Sequence, residues 1–227
     1  MTEKPKTLKA IDRVVSLDPQ HPRSGVMAEA ADFVQQGQVV VFPTHGLYGL
    51  GADALNVRAV ERVFALKGRD LNKPVLVLID DIAMLDQVAL ALNDRVRYLM
   101  RQFWPGKVTF VVPARRGLPH GLTGGSGKIG VRQVAHPVAR ALVRSLGRPL
   151  TGTSANPAGA EGCAAISQLH GSIMEKVDLV LDAGTLAGGP GSTVVDASGE
   201  RPMVLRRGAV GEDALMAAFE AYPAAPP

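Results

Sequence analysis

Two cations separated by one glycine, Lys67-Gly68-Arg69, stand where an apolar-periodic stretch ends and the chain turns toward a buried strand. Gly68 can take the left-handed conformation that closes a helix, so Arg69 emerges beside Lys67. Such a pair can hold an anion; it equally serves the helix C-terminal dipole while Arg69 stays solvated. Ser154 and Asn156, in Thr153-Ser154-Ala155-Asn156-Pro157, follow a strand and bring a hydroxyl, an amide and free backbone N–H groups to one side. That group suits phosphate or ribose oxygens, and it also makes an ordinary Asx or Ser turn. Arg132 lies in an otherwise apolar strand, where an unpaired buried charge is costly, so it is either paired or functional. The runs Ser192-Thr193-Val194-Val195-Asp196 and Val204-Leu205-Arg206-Arg207-Gly208 add another hydroxyl and another arginine. These residue types suit the binding of an anion.

Two glycine-rich stretches point elsewhere. Gly124-Gly125-Ser126-Gly127-Lys128 resembles a phosphate loop, but Leu122 stands where the first glycine belongs and Ile129 follows the lysine in place of Ser or Thr. It also leads into a strand. The run 46–51 lacks the G-x-G-x-x-G order of a dinucleotide fold.

The elements that must position these residues alternate in type. Periodicity predicts helices over 26–36, 57–67, 82–92, 94–103, 137–146, 164–170 and 212–221. Gly37, Gly68 and Gly147 stop three of them, and Pro137 opens the fifth. Strands are predicted at 39–42, 75–79, 108–113, 128–133, 149–154, 177–182, 192–197 and 202–206, with 44–51 as a glycine-punctuated loop. The late strands are joined by short turns, which argues for one α/β domain with a twisted mixed sheet flanked by helices. We divide the chain into an N-terminal arm (1–23), the α/β domain (24–210) and a C-terminal helix and tail (211–227).

Composition sets the bounds. The 227 residues are 46% hydrophobic and 20% charged, ordinary for a globular protein with a sizeable core. Aromatics, at 4%, are too few for a base-stacking platform. A single cysteine, Cys163, excludes an internal disulfide and any multi-cysteine metal site, and no metal ligands are assigned. The polar N-terminus has no signal-like apolar core, and no apolar run is long enough to span a membrane, so a cytoplasmic location is expected. The net charge of +4 fits an anionic ligand, weak contact with RNA, or simply a solvated basic surface. Arg95, Arg97, Arg101, Arg115 and Arg116 would supply the RNA contacts.

The order of the motifs is more specific than any one of them. Pro-Thr-x-x-x-Tyr-Gly-Leu-Gly, Lys-x-Arg, Phe-Trp-Pro-Gly-x-x-Thr, Val-Arg, Ser-Ala-Asn, Ser-Thr-Val-Val-Asp and Leu-Arg-x-Gly follow one another over residues 24–210. In that order they resemble the YrdC-like threonylcarbamoyl-AMP synthase family, in its short, single-domain form. The second C-terminal domain of some longer relatives has no room in 227 residues. The resemblance implies a basic concave sheet face and an enzyme, a nucleotidyltransferase. It would convert L-threonine, bicarbonate and ATP, with Mg2+ accompanying the nucleotide, to threonylcarbamoyl-AMP and pyrophosphate. The product would feed tRNA threonylcarbamoyladenosine synthesis through a separate transferase complex.

The resemblance also implies roles. Lys67, Arg69, Ser154 and Asn156 line the ATP site, with Lys67 and Arg69 catalytic. Lys73 and Arg206 also approach the nucleotide, while Thr44, Arg132 and Ser192 bind threonine. The sequence departs from the family pattern at His45-Gly46, where an acid and a hydroxyl are usual, at Leu78 for a usual His, and at Lys73 for a usual Asn. These positions bear on amino-acid specificity. Two other functions are compatible with the fold. One is a non-catalytic domain that holds tRNA or double-stranded RNA, against which the intact Ser-Ala-Asn argues. The other is carbamoyl transfer as in larger hydrogenase-maturation proteins, whose acylphosphatase and zinc-finger regions are absent from this sequence.

Overall fold

The computed structural model describes residues 13–223, so most of the arm expected over 1–23 and the last four residues of the tail lie outside the described residues. Ten strands form one sheet: β1 (Val14–Ser16), β2 (Val40–Pro43), β3 (Tyr48–Gly51), β4 (Leu76–Ile79), β5 (Val108–Pro113), β6 (Lys128–Gln133), β7 (Leu150–Ser154), β8 (Leu179–Asp182), β9 (Thr193–Asp196) and β10 (Met203–Arg206). Their spatial order is β1-β8-β2-β3-β7-β4-β6-β5-β9-β10. Parallel pairs such as β4–β6 and β5–β9 occur beside antiparallel ones such as β3–β7 and β5–β6, so the expected mixed sheet is what forms.

Seven α-helices accompany the described strands: α1 (Ser24–Gln35), α2 (Val57–Lys67), α3 (Asp94–Phe103), α4 (His120–Thr123), α5 (Pro137–Leu146), α6 (Gly171–Met174) and α7 (Glu212–Glu220). Local chemistry sets their ends. Asn56 and Asn93 cap α2 and α3 through their side-chain oxygens, and Gly68 and Gly147 close α2 and α5 at φ +59° and +67°. Alternation along β4, β5 and β6 sends Val77, Phe110, Ile129 and Val131 into a core with Leu99 and Met100 of α3 and Leu215 and Phe219 of α7. On the opposite face, α1 and α5 cover only part of the sheet, packing on Phe42, Leu78 and Leu150. The rest of that face is open to a cavity.

Three expectations need correction. Residues 48–51 are a strand, not loop, paired with both β2 and β7. Their glycines serve close approach: a Cβ at Gly51 would stand 2.9 Å from the Phe42 ring and 3.0 Å from Leu150. The helix expected over 82–92 is a 3-10 segment, Ile82–Gln87, because Ala89 bridges to Ala114 and Leu90 N–H bonds to the Pro113 carbonyl at the end of β5. The helix expected over 164–170 is a 3-10 turn, Ile166–Gln168. Leu169 then leaves helical geometry, and His170 caps the separate α6.

Candidate active site

The open sheet face carries a cavity of about 690 Å³, floored by Gly49, Gly130 and Gly152 with Leu76, Val111 and Val194. Arg69, Lys107, Lys128, Arg132 and Arg206 line it, and Asp196 is the one carboxylate among the lining residues. That acid is engaged: Lys128 Nζ donates to Oδ2 at 2.7 Å, and the Ser198 N–H and hydroxyl donate to Oδ1. Burial pushes its carboxyl up, but Lys128 and Ser198 outweigh burial and hold it below the usual range.

Three arginines reach the cavity from separate elements. Arg69 leaves the α2 cap; Nε donates to the Lys73 carbonyl (2.7 Å) and Nη2 to the Pro74 carbonyl (3.1 Å). Burial and the facing Arg206 depress its pKa. Arg206, at the end of β10, donates to the Ser192 carbonyl (2.8 Å) and approaches its hydroxyl. Arg132, on β6, has no hydrogen bond or ion pair among the described residues. Burial and Arg206 lower its pKa to about 10. Cations that raise one another's energy in this way are stabilised by an anion placed between them.

Lys67 takes a different position. Its Nζ is buried and donates to the carbonyls of Ser154 and Asn156, both at 2.6 Å, and reaches Asn156 Oδ1 at 3.4 Å. Its own carbonyl accepts from Ala158 N–H at 2.7 Å. Burial, with Arg69 nearby, lowers its pKa to about 8. Asn156 turns its amide away from the cavity, donating to the Pro157 (2.8 Å) and Ala160 (2.6 Å) carbonyls. Lys67 and Asn156 thus lock the turn that presents Ser154 to the cavity.

Of the residues named from sequence, Thr44, Arg69, Arg132, Ser154, Ser192 and Arg206 line one cavity. Lys67 and Asn156 lie behind Ser154, bonded to each other and not among the lining residues. Lys73 is exposed, outside the lining, and meets Arg69 through its carbonyl. Thr44 donates its hydroxyl to the Leu47 carbonyl (2.6 Å), and the Ser192 and Thr109 hydroxyls share a 2.8 Å bond. His45 and Gly46 also line the cavity. Burial, Lys107 and Arg132 hold the His45 imidazole below its usual pKa. At Gly46 the absence of a side chain is required, because a Cβ would lie 2.3 Å from the Gly188 carbonyl oxygen. Gly188 N–H bonds back to the Gly46 carbonyl at 3.0 Å, joining the β2–β3 loop to the segment before β9.

Sequence reasoning assigned no site role to Lys107, Thr109, Lys128 or Asp196, although the last three stood in stretches it singled out. Alternation along β5 and β6 was the available signal, since Lys107 and Thr109, like Lys128, Gly130 and Arg132, fall on one face. The five arginines grouped for RNA contact behave unequally. Arg95 lies 3.9 Å over the Phe219 ring and bonds to that residue's carbonyl, while Arg97 and Arg115 bond to the Leu92 and Asp86 carbonyls.

Residues 32–208 match the Sua5/YciO/YrdC protein-family model, which carries the description telomere recombination. The chain is 35% identical over 179 residues to a threonylcarbamoyl-AMP synthase of Pyrococcus abyssi, covering 79% of this chain and 53% of that one. It is 41% identical over 159 residues to a threonylcarbamoyl-AMP synthase of Thiobacillus denitrificans, covering 69% and 85%. The crystal structure of P. abyssi Sua5 complexed with L-threonine superposes with a TM-score of 0.85 at 30% identity, over 90% of this chain and 60% of that one. The chain spans about half the length of the P. abyssi relative. No helix of the described residues is long and apolar enough to cross a membrane. The cavity, its three arginines and its Ser-Ala-Asn turn lie within the matched residues, and the chain belongs to the Sua5/YciO/YrdC family.

Proposed function

We propose that this chain is an L-threonylcarbamoyl-AMP synthase, joining L-threonine, bicarbonate and ATP and releasing pyrophosphate. The observation that carries this reading is the convergence of Arg69, Arg132 and Arg206 on one cavity whose sole lining carboxylate is already paired. Three guanidiniums without carboxylates suit substrates that are themselves anions. Arg132 grips the threonine carboxylate, with the Ser192 and Thr44 hydroxyls beside it. Arg69 and Arg206 face the phosphates, and Ser154 adds a hydroxyl held in place by the Lys67–Asn156 lock. As the carbamate oxygen attacks the α-phosphorus, charge builds on the phosphoryl oxygens and the departing pyrophosphate. Fixed cations stabilise that charge without moving. Lys67 then acts through the turn it holds, and Lys73 through the Arg69 side chain that its carbonyl orients.

Among the described residues no three His, Cys, Asp or Glu side chains converge as a metal site. Mg2+ would accompany the nucleotide and supply neutralising charge at its phosphates. We place the reaction in the cytoplasm, with the product passed to a transferase that modifies tRNA. The names of the relatives support this reading. Incubation with ATP and each amino acid in turn, with and without bicarbonate, tests it. Pyrophosphate release that requires both threonine and bicarbonate is expected; release indifferent to bicarbonate, or none with any amino acid, overturns it.

A further inference from the structure

We infer that Lys107, beside Arg132, forms an anion subsite for bicarbonate and for the carbamate carboxylate that bicarbonate becomes. This rests on the synthase reading, which assigns groups to threonine and ATP and none to the third substrate.

The backbone fixes where Lys107 stands. Gly106 N–H donates to the Gln133 carbonyl (3.1 Å), and the Lys107 carbonyl accepts from Thr193 N–H (3.0 Å). The residue is therefore pinned between the strand that carries Arg132 and the segment that carries Ser192. Phe110 pairs with Val131 in antiparallel register, which places Thr109 opposite Arg132. Lys107, two residues before Thr109, shares its face and is a diagonal neighbour of Arg132, at about 7–8 Å for such pairs. The parallel register of Val108 with Thr193 sets Lys107 level with Ser192. The Lys107 side chain lines the cavity and has no hydrogen bond or ion pair among the described residues. Two cations on one sheet face, with no acid between them, repel each other until an anion arrives. Asp196 cannot serve, since it is held by Lys128.

The chemistry needs a cation at this place. Once Arg132 holds the threonine carboxylate, the α-amino nitrogen lies on the adjoining carbon. That nitrogen forms a bond to the bicarbonate carbon, the C–OH bond breaks, and water leaves carrying the amine's proton with the hydroxyl. The negative charge stays on the new carbamate, next to the carboxylate. A carbamate oxygen then bonds to the α-phosphorus as the bond to pyrophosphate breaks. The intermediate carries two carboxylates on neighbouring atoms, and Arg132 with Lys107 offers one cation for each.

The test follows the broadening of 13C-bicarbonate on titration with the wild type and with Lys107→Gln, in the presence of L-threonine. It is paired with threonine calorimetry and thermal melts. Lys107→Gln should weaken bicarbonate binding on the order of tenfold, as expected for one charge-assisted contact. Threonine affinity and the melt should stay unchanged, with partial recovery in Lys107→Arg. In turnover, the KM for bicarbonate should rise while those for threonine and ATP hold. Equal bicarbonate broadening by both proteins overturns the subsite. So does a variant whose loss is in pyrophosphate affinity, since Lys107 would then face the leaving group. A wild type that broadens bicarbonate yet releases no pyrophosphate retains the subsite and overturns the synthase reading.

Discussion

The arginines of α5 and those of the cavity solve opposite problems. On the helix side, Arg140 and Arg144 both close on the buried Asp80, at 3.0 and 2.9 Å, and Arg148 just beyond the helix closes on the buried Asp53 at 3.0 Å. Each buried carboxylate there has a cation, and each of those arginines reaches solvent with the rest of its side chain. In the cavity the ratio is reversed: burial, with Arg206 nearby, depresses Arg69 and Arg132, and the one carboxylate among the lining residues, Asp196, is held by Lys128. A paired buried charge is consistent with a role in the fold. A convergent set without carboxylate partners is costly to bury, and an anion bound among its members would offset that cost. Stability and activity should therefore separate cleanly between the two regions.

The largest effect is expected in the cavity. Arg69→Ala should lower threonine- and bicarbonate-dependent pyrophosphate release by about 100- to 1,000-fold, the usual loss when a preorganised donor to developing charge is removed. Arg69 is not the bare surface cation that its place after a capping glycine suggests, since it bonds to two carbonyls. The melt should therefore register a cost of about 1 kcal/mol, the net worth of such bonds. Arg69→Lys should recover only part of the rate, because an ammonium cannot reproduce the fork. Wild-type turnover in Arg69→Ala would remove Arg69 from the site.

On the helix side the expected loss is in stability alone. Asp80→Ala leaves Arg140 and Arg144 without their acceptor. Because both can hydrate, the cost should be about 2–3 kcal/mol, below the roughly 3–5 of a fully enclosed pair. Denaturant unfolding measures it, and nucleotide affinity measured beside it should stay within about twofold. A variant that melts normally but loses nucleotide would erase the distinction between the regions.

The division explains what could be read from sequence. Lys67, Arg69, Ser154, Asn156, Arg132 and Arg206 could be named because their motifs keep a fixed order, and helix ends at Gly68 and Gly147 because a left-handed cap has a single-residue signature. β3 was hidden because Gly49 and Gly51 look like turn residues until Phe42 and Leu150 are seen filling the space a Cβ would take. Lys107 and Asp196 were hidden for another reason. Alternation groups Lys107 with Thr109, and Asp196 with Val194 and Ser192, but only register with the neighbouring strands shows that those faces line a cavity. The roles of Lys67 and Asn156 were illegible too, since spacing cannot show that a buried ammonium points at carbonyls 87 and 89 residues away.

Lys67 gives the smallest and most informative difference, because it is a buried cation that belongs to neither class. It has no carboxylate, yet its donors are engaged by backbone and side-chain oxygens of Ser154 and Asn156. Its pKa falls from 10.5 to about 8 in the fold. Between those values the unfolded chain holds a proton that the folded chain has released, so stability should rise with pH from about 8 to 10.5. That contribution is lost as pH falls through 8. Lys67→Met removes both the desolvated charge and the donors. At pH 7 the two changes should nearly offset, leaving a net change of about 1 kcal/mol or less in either direction. Above pH 8 the wild type should gain on the variant, by melts taken in parallel. On the role proposed for Lys67, acting through the Ser154 turn that it holds, activity should fall in Lys67→Met by about tenfold, less than in Arg69→Ala. A double-mutant cycle with Ser154→Ala reads that directly: coupled residues give less than the sum of the single losses. Fully additive losses would place the ammonium on the nucleotide and return Lys67 to the same class as the three arginines.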